Sequence, residues 1–317
     1  MSKIQDIARL LHSEGRAEGR EHFTIDRTQA REKMRQFQLA DPHEYILKLV
    51  QAAVRNGATQ IRFNIDSDDM WMHFDGAGFT LVDFENLYGS IFARSDDDDT
   101  QALRYLALGL NAATALNPRH IDIASGDAKM RIRPGVDDDW RPADEPISGT
   151  RIHLKERFRP GLVIQFVRNL TGNLTEAKIL EVYCRFSPVD INIGDRPISK
   201  GFQLDDSERQ VELDIRGGRA LMGLVQARKG SAAEFIVDGV LIASCALKLA
   251  PGIRVLVRSD RVRTDLSAQK LVRNSDFHSL IRELELAQER DDGTDRRLEP
   301  LGRLSRRDDL ALDSRLE

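Results

Sequence analysis

Cysteine is nearly missing from this chain: two occur in 317 residues, Cys184 and Cys245, both in apolar contexts without metal spacing. That excludes a disulfide framework and a thiolate metal knuckle, and buried free thiols in a reducing compartment are expected. Excess charge of either sign is missing as well. Forty-seven Lys and Arg against 51 Asp and Glu leave a net charge of -4 and a pI near 6.0, so neither nucleic acid nor an anionic membrane is the expected partner. No apolar run reaches the ~20 residues of a spanning helix; even 235–253 is broken by Asp238 and Lys248. The first twenty residues contain no apolar signal core, so the expected location is the cytoplasm. The usual catalytic signatures are absent too: no GxxxxGK[ST] loop, HExxH, GxSxG or CxxC occurs. The seven histidines are scattered, which argues against a His-rich metal site, and the acidic run Asp96 to Asp99 reads as a solvated loop.

What is present is an ordinary soluble composition, 41% hydrophobic and 31% charged, organised around residues 43–79. Ile46, Leu49, Val50, Ala53 and Val54 recur at the spacing of a helix lying on a core. Lys48, Ala52 and Arg55 share the neighbouring face, and the two cations read as an ion pair, interdomain or superficial, or as an anion pocket. Asn56-Gly57 closes the helix, and Ile61-Phe63-Ile65 alternates as a half-buried strand. Met70 to Phe74 makes a second strand, and Gly76 and Gly78 let the backbone come close to whatever lies at that edge.

Before this stretch, helices are expected at 3–13 and 27–37. After it come helices at 81–88 and 102–116, strands at 120–124 and 129–133, a proline-bearing acidic loop at 134–146 and a strand from Thr150. This predicts an α+β sandwich, an antiparallel sheet with helices on one face, over residues 1–156. A second, smaller α/β domain is expected over 157–287. It should hold a helix at 175–186, strands at 189–193, 211–215, 220–226, 235–242 and 253–257, and a closing helix at 276–286. The charged tail 288–317 has too few large apolar residues to offset its chain entropy and is expected to be disordered or loosely helical.

In its order of elements, residues 22–155 resemble the Bergerat-type (GHKL) ATP-binding domain shared by gyrase, MutL, HtpG-type heat-shock chaperones and histidine kinases. The segment 48–59, KLVQAAVRNGAT, is similar to the family's Glu-Leu-x-x-Asn-Ala-x-Asp-Ala-Gly-Ala-Thr. The segment 74–79, FDGAGF, is similar to its Asp-Asn-Gly-x-Gly-Ile, and Ser148-Gly149-Thr150 to its last motif. The resemblance implies nucleotide-facing roles for Asp75, Gly76, Gly78, Gly109 and Thr150.

The departures fall on the chemistry. Where the family has its water-activating glutamate, its magnesium-holding asparagine and its adenine-reading aspartate, this chain has Lys48, Ala52 and Phe74. Alanine holds no metal and phenylalanine accepts no hydrogen bond. Asp75, one residue on, could stand in for the aspartate if the register slips, although alternation turns 74 and 75 to opposite faces. The segment 106–110, LALGL, keeps only Gly109 of the glycine-rich phosphate loop. Residues 176–193 and 257–284 resemble the middle domain of HtpG-type chaperones, and there the family's γ-phosphate arginine is replaced by Ala268. Loss of a general base alone costs ~10²–10⁴ in rate. The resemblance with its departures implies a chaperone-like pseudo-ATPase that binds a protein partner or client, with no catalytic residue, no metal and no cofactor. The alternative is a divergent ATPase using ATP with magnesium, with Asp75, Thr150 and Glu44 in altered roles.

Overall fold

Asp41 and Pro42 open the helix that organises the chain. The Asp41 carboxylate accepts the His43 N–H at 2.9 Å, and Pro42 presets the first helical φ, so the 3-10 turn Pro42–Glu44 runs directly into α1 (Tyr45–Arg55). A computed structural model describes residues 41–292 apart from 67, 94–96, 158–173, 206, 208, 226–229 and 266–269. The expected helices at 3–13 and 27–37, and the tail beyond residue 292, lie outside the described residues.

Gly57, at φ +81°, ends α1 and turns the chain into β1 (Gln60–Ile65) and β2 (Asp69–Phe74). The capping box of Thr80 and Asp83 starts α2 (Leu81–Glu85), which passes into a 3-10 segment, Leu87–Phe92. Then comes α3 (Asp98–Thr114). It begins four residues earlier than periodicity predicts, because the acidic run is its cap: Asp97 accepts the Thr100 N–H at 2.8 Å, and Asp98 and Asp99 occupy the first turn, where the helix dipole favours negative charge. Strands β3 (His120–Ser125), β4 (Ala128–Ile132), β5 (Asp139–Pro142) and β6 (Thr150–Lys155) follow; β5 is a short edge strand inside the expected acidic loop.

The division between the two halves differs from the expected boundary at 157. Helix α4 (Thr175–Tyr183) and strands β7 (Asp190–Ile193) and β8 (Arg196–Pro197) belong to the first sheet, since β7 pairs in parallel with β1, Ile61 opposite Ile191. The sheet order is β5-β4-β3-β6-β2-β1-β7-β8, antiparallel except at β1–β7. One face carries the core, including Ile61, Phe63, Met72, Phe74, Ile123 and Ile152, under α1 to α4. The chain therefore forms the expected α+β sandwich followed by a second, smaller sheet with its own helix.

That second sheet has the order β12-β11-β13-β10-β9. It is built from β9 (Gln210–Ile215), β10 (Gly218–Leu224), β11 (Ala232–Val237), β12 (Val240–Ala246) and β13 (Ile253–Ser259). Helix α5 (Ser275–Asp292) covers one face through Phe277, Leu280 and Leu284. Residues 235–242, expected as one strand, are instead a tight hairpin. Asp238 and Gly239 take φ +50° and +79° between paired Val237 and Val240, as a two-residue turn of right-handed twist requires. No helix among the described residues is long and apolar enough to cross a membrane.

Candidate functional site

Nine consecutive residues of α1, Tyr45 to Ala53, are buried, so the helix is enclosed on its expected apolar face and on the face beside it. The second face is closed by α3 and by the tip of the β11–β12 hairpin. Gly109 of α3 lies flush on α1: a Cβ there would stand 2.9 Å from Leu49 Cδ2 and 3.2 Å from both Lys48 Cβ and the Tyr45 carbonyl. Gly239 at the hairpin tip would likewise meet Val54 Cγ2 at 3.0 Å, and Gln51 donates from Nε2 to the Val237 carbonyl at 3.2 Å. Gly109 is thus a packing glycine between two helices, and Ala52 is fully buried.

Lys48 sits in this enclosure with only 3% of its surface exposed and donates to Gln51 Oε1 at 3.0 Å. Burial pulls its pKa down to about 8, against the opposing pull of the Asp265, Glu44 and Asp238 charges. The unfolded chain therefore holds the proton more tightly, and this group's contribution to stability rises as pH increases from about 8 to 10.5. Chemical denaturation of Lys48→Met should show a variant more stable than the parent at pH 7.5, by roughly 2 kcal/mol, with the advantage fading by pH 10. An advantage independent of pH would show that the ammonium is not the cause.

Arg55 makes the interdomain pair. Its Nη1 donates to Asp98 at 2.7 Å, and its Nε stands 2.7 Å from Asp238 Oδ1, an ion pair at contact distance rather than an aligned hydrogen bond. Tyr105 donates its hydroxyl to the other Asp238 oxygen at 2.8 Å. Burial opposes the Arg55 charge, but Asp238 and Asp98 outweigh it and hold its pKa above the ordinary value.

Four of the residues that the sequence places at a nucleotide, Asp75, Gly76, Gly78 and Thr150, do come together at the end of β2. Their bonds are to the chain itself. Asn56 clamps the glycine turn, taking the Gly78 N–H on Oδ1 at 2.7 Å and donating from Nδ2 to the Gly78 carbonyl at 3.0 Å. Both glycines are required for close approach to protein atoms: a Cβ on Gly76 would lie 2.9 Å from the Asn56 carbonyl, and one on Gly78 2.9 Å from Ser125 Oγ. Thr150 is fully buried and shares a 2.8 Å hydrogen bond with Ser125, whose Oγ accepts the Phe79 N–H at 2.6 Å. Asp75 accepts the Thr59 hydroxyl, the Thr59 N–H at 2.8 Å and the Gln60 N–H at 2.7 Å. The Thr59 hydroxyl and the Gln60 amide hold its carboxyl below the usual range. Phe74 is 1% exposed within the core. Ala268, at the position of the γ-phosphate arginine, lies outside the described residues.

Sheet register also assembles a group that scattered histidines conceal in the sequence. His120 and Asp122 on β3 and His153 on β6 bring one ligand atom each within 4.8 Å of one another. Asp122 and His153 already have partners outside the group, while His120 Nε2 stands 3.6 Å from Asp122. Arg131 donates to both Asp122 oxygens at 2.5 and 2.7 Å, and His153 Nε2 meets Asp69 at 2.5 Å. The cluster is a polar network on the open face of the sheet, where Trp71 stacks on His153 at 3.7 Å.

No protein-family model matches the chain, and no curated protein matches it. Among solved structures, the ATPase domain from the bacterial mismatch repair endonuclease MutL of Aquifex aeolicus is similar at 10% sequence identity and a TM-score of 0.38. The match covers 77% of this chain and 98% of that one. At that score and identity the likeness decides nothing about this chain's fold family or activity.

Proposed function

We propose that the chain is a Bergerat-type scaffold that has lost ATP hydrolysis and acts by binding a protein partner. The observation that carries this reading is the enclosure of the α1 face bearing Lys48 and Ala52. Gly109 of α3 covers it from one side and the hairpin at Asp238-Gly239 from another, where the family resemblance calls for a general base and a metal ligand. Phe74 in the core takes the carboxylate away from the adenine position, and Asp75, one residue on, is held by three hydrogen bonds from Thr59 and Gln60. What remains is an open sheet face carrying Trp71, 39% exposed, among arginines, the residue types enriched in protein interfaces. The chaperone-like role, and a cytoplasmic location in keeping with the free thiols Cys184 and Cys245, belong to the same proposal.

Calorimetric titration with ATP and ADP, with and without magnesium, together with a phosphate-release assay, tests it. The expected result is no heat of binding at nucleotide concentrations of about 0.1 mM, near the upper part of the usual range for enzyme substrates, and no turnover. Micromolar affinity would overturn the degenerate-site reading. Turnover abolished by Asp75→Asn would establish the divergent ATPase in its place.

A further inference from the structure

On the face of β13 opposite Val255 and Val257, the strand carries Arg254 and Arg258, and the fold treats these two cations differently. Arg254, buried, donates to the Glu234 carboxylate on β11 and lies 5.9 Å from the Phe186 ring. Arg258, half-buried, has no hydrogen-bond or ion-pair partner among the described residues. Its cross-strand neighbour is another cation, Arg219 of β10, which lies 5.0 Å over Phe202 and 3.5 Å from Glu212.

Like charges directly opposite one another weaken a sheet. Burial and the Arg219 charge both hold the Arg258 pKa below its ordinary value. Asp238, the carboxylate that acts on Arg258, has its oxygens engaged by Arg55 and Tyr105. Both arginines line a cleft of about 1190 Å³ between the second sheet and α3, in which five arginines face three aspartates. Of the other two aspartates, Asp265 accepts the Lys270 N–H at 3.2 Å, and the exposed Asp260 carboxylate stands over Gly217. The fold thus holds two adjacent guanidinium groups at a cavity wall, with no ion-pair partner for Arg258 among the described residues and, for Arg219, the largely exposed Glu212 at 3.5 Å. Their planar donor forks suit a tetrahedral dianion, which would neutralise both at once.

We propose that this cleft binds a phosphate-bearing ligand whose dianionic group sits between Arg219 and Arg258. The cavity is far larger than a phosphate, so the group would be carried on a small phosphoester or on a phosphorylated peptide side chain. This inference does not depend on the pseudo-ATPase reading.

The test is thermal unfolding and calorimetry of the full chain at low salt with inorganic pyrophosphate. Pyrophosphate at about 5 mM should raise the unfolding midpoint by roughly 2 °C or more. Arg258→Gln removes a repulsion, so the unliganded variant should unfold no lower than the parent, while its pyrophosphate affinity falls at least about tenfold. Arg62→Gln, on the open face of the first sheet, should leave the affinity unchanged. Glucose 6-phosphate and a phosphoserine peptide distinguish the sources, since whichever binds more tightly in an Arg258-dependent way names the carrier. No shift in the parent at 5 mM pyrophosphate, or an equal shift in Arg258→Gln, would overturn the proposal. ATP binding lost in Arg258→Gln would support the cleft. ATP binding that survives it would overturn the degenerate-site reading instead, leaving the pyrophosphate result to decide this one.

Discussion

Replacing Phe74 by aspartate, the residue that the Bergerat resemblance calls for, should cost the chain about 5 kcal/mol or more, a large part of the 5–15 kcal/mol that ordinarily holds a domain together. The ring is 1% exposed, opposite Ile61 on β1 and Thr150 on β6, inside the core under the helices. Removing it forfeits about 3–5 kcal/mol of transfer and cavity energy, and a carboxylate placed there with no counter-charge adds several more. Phe74→Leu, nearly conservative in volume, should cost only ~1–1.5 kcal/mol and shows that the position tolerates change. Denaturant midpoints of the two variants decide the matter. If Phe74→Asp folds with parental stability, the position faces solvent or ligand, and the degenerate-site reading fails with it.

The second large effect is expected at Asp238. Its carboxylate is 10% exposed, pairs with Arg55 and accepts from Tyr105, and its backbone sits at φ +50° in the hairpin turn. Asp238→Ala strands a half-buried guanidinium and a buried phenol and puts alanine in the left-handed region, at a combined cost of about 3 kcal/mol. Asp238→Asn keeps the turn preference and an acceptor for Tyr105 but loses the charge, so it should fall between the two. Because this hairpin seats the second sheet on α1, the alanine variant should unfold in two separable steps where the parent unfolds in one. A single transition for Asp238→Ala, shifted by less than ~0.5 kcal/mol, would show that the pair is superficial.

Some of this was open to inspection in the sequence, for stated reasons. The 43–79 segment is readable because its periodicities, 3.6 and then 2, change at Asn56-Gly57, and local chemistry sets both. The acidic run at 96–99 looked like a loop because charge alone does not distinguish a solvated turn from a helix cap; the Thr100 amide decides it. The hairpin at Asp238-Gly239 carried one of the strongest short-range turn signals available, and reading 235–242 as one strand gave its apolar content more weight than its turn residues. That turn is the feature that closes the α1 face, through the Val237 carbonyl on Gln51. The partners of Gly109 and the approach of His120 to His153 are of another kind: each joins residues distant in the chain through packing or strand register, which one sequence does not record. For the same reason Lys48 and Arg55 could be placed on one face but not told apart, though one is enclosed with Gln51 and the other bridges the two halves.

The parallel pairing of β1 with β7 has a consequence for synthesis. Ile61 and Ile191 are neighbours in the sheet, so when residue 156 leaves the ribosome the first sheet is still missing one side. Until residues 190–193 arrive, β1 presents an open hydrogen-bonding edge to any other nascent chain. The first 156 residues are therefore not a self-sufficient product, and a message cut short there would yield a template for aggregation rather than half a protein.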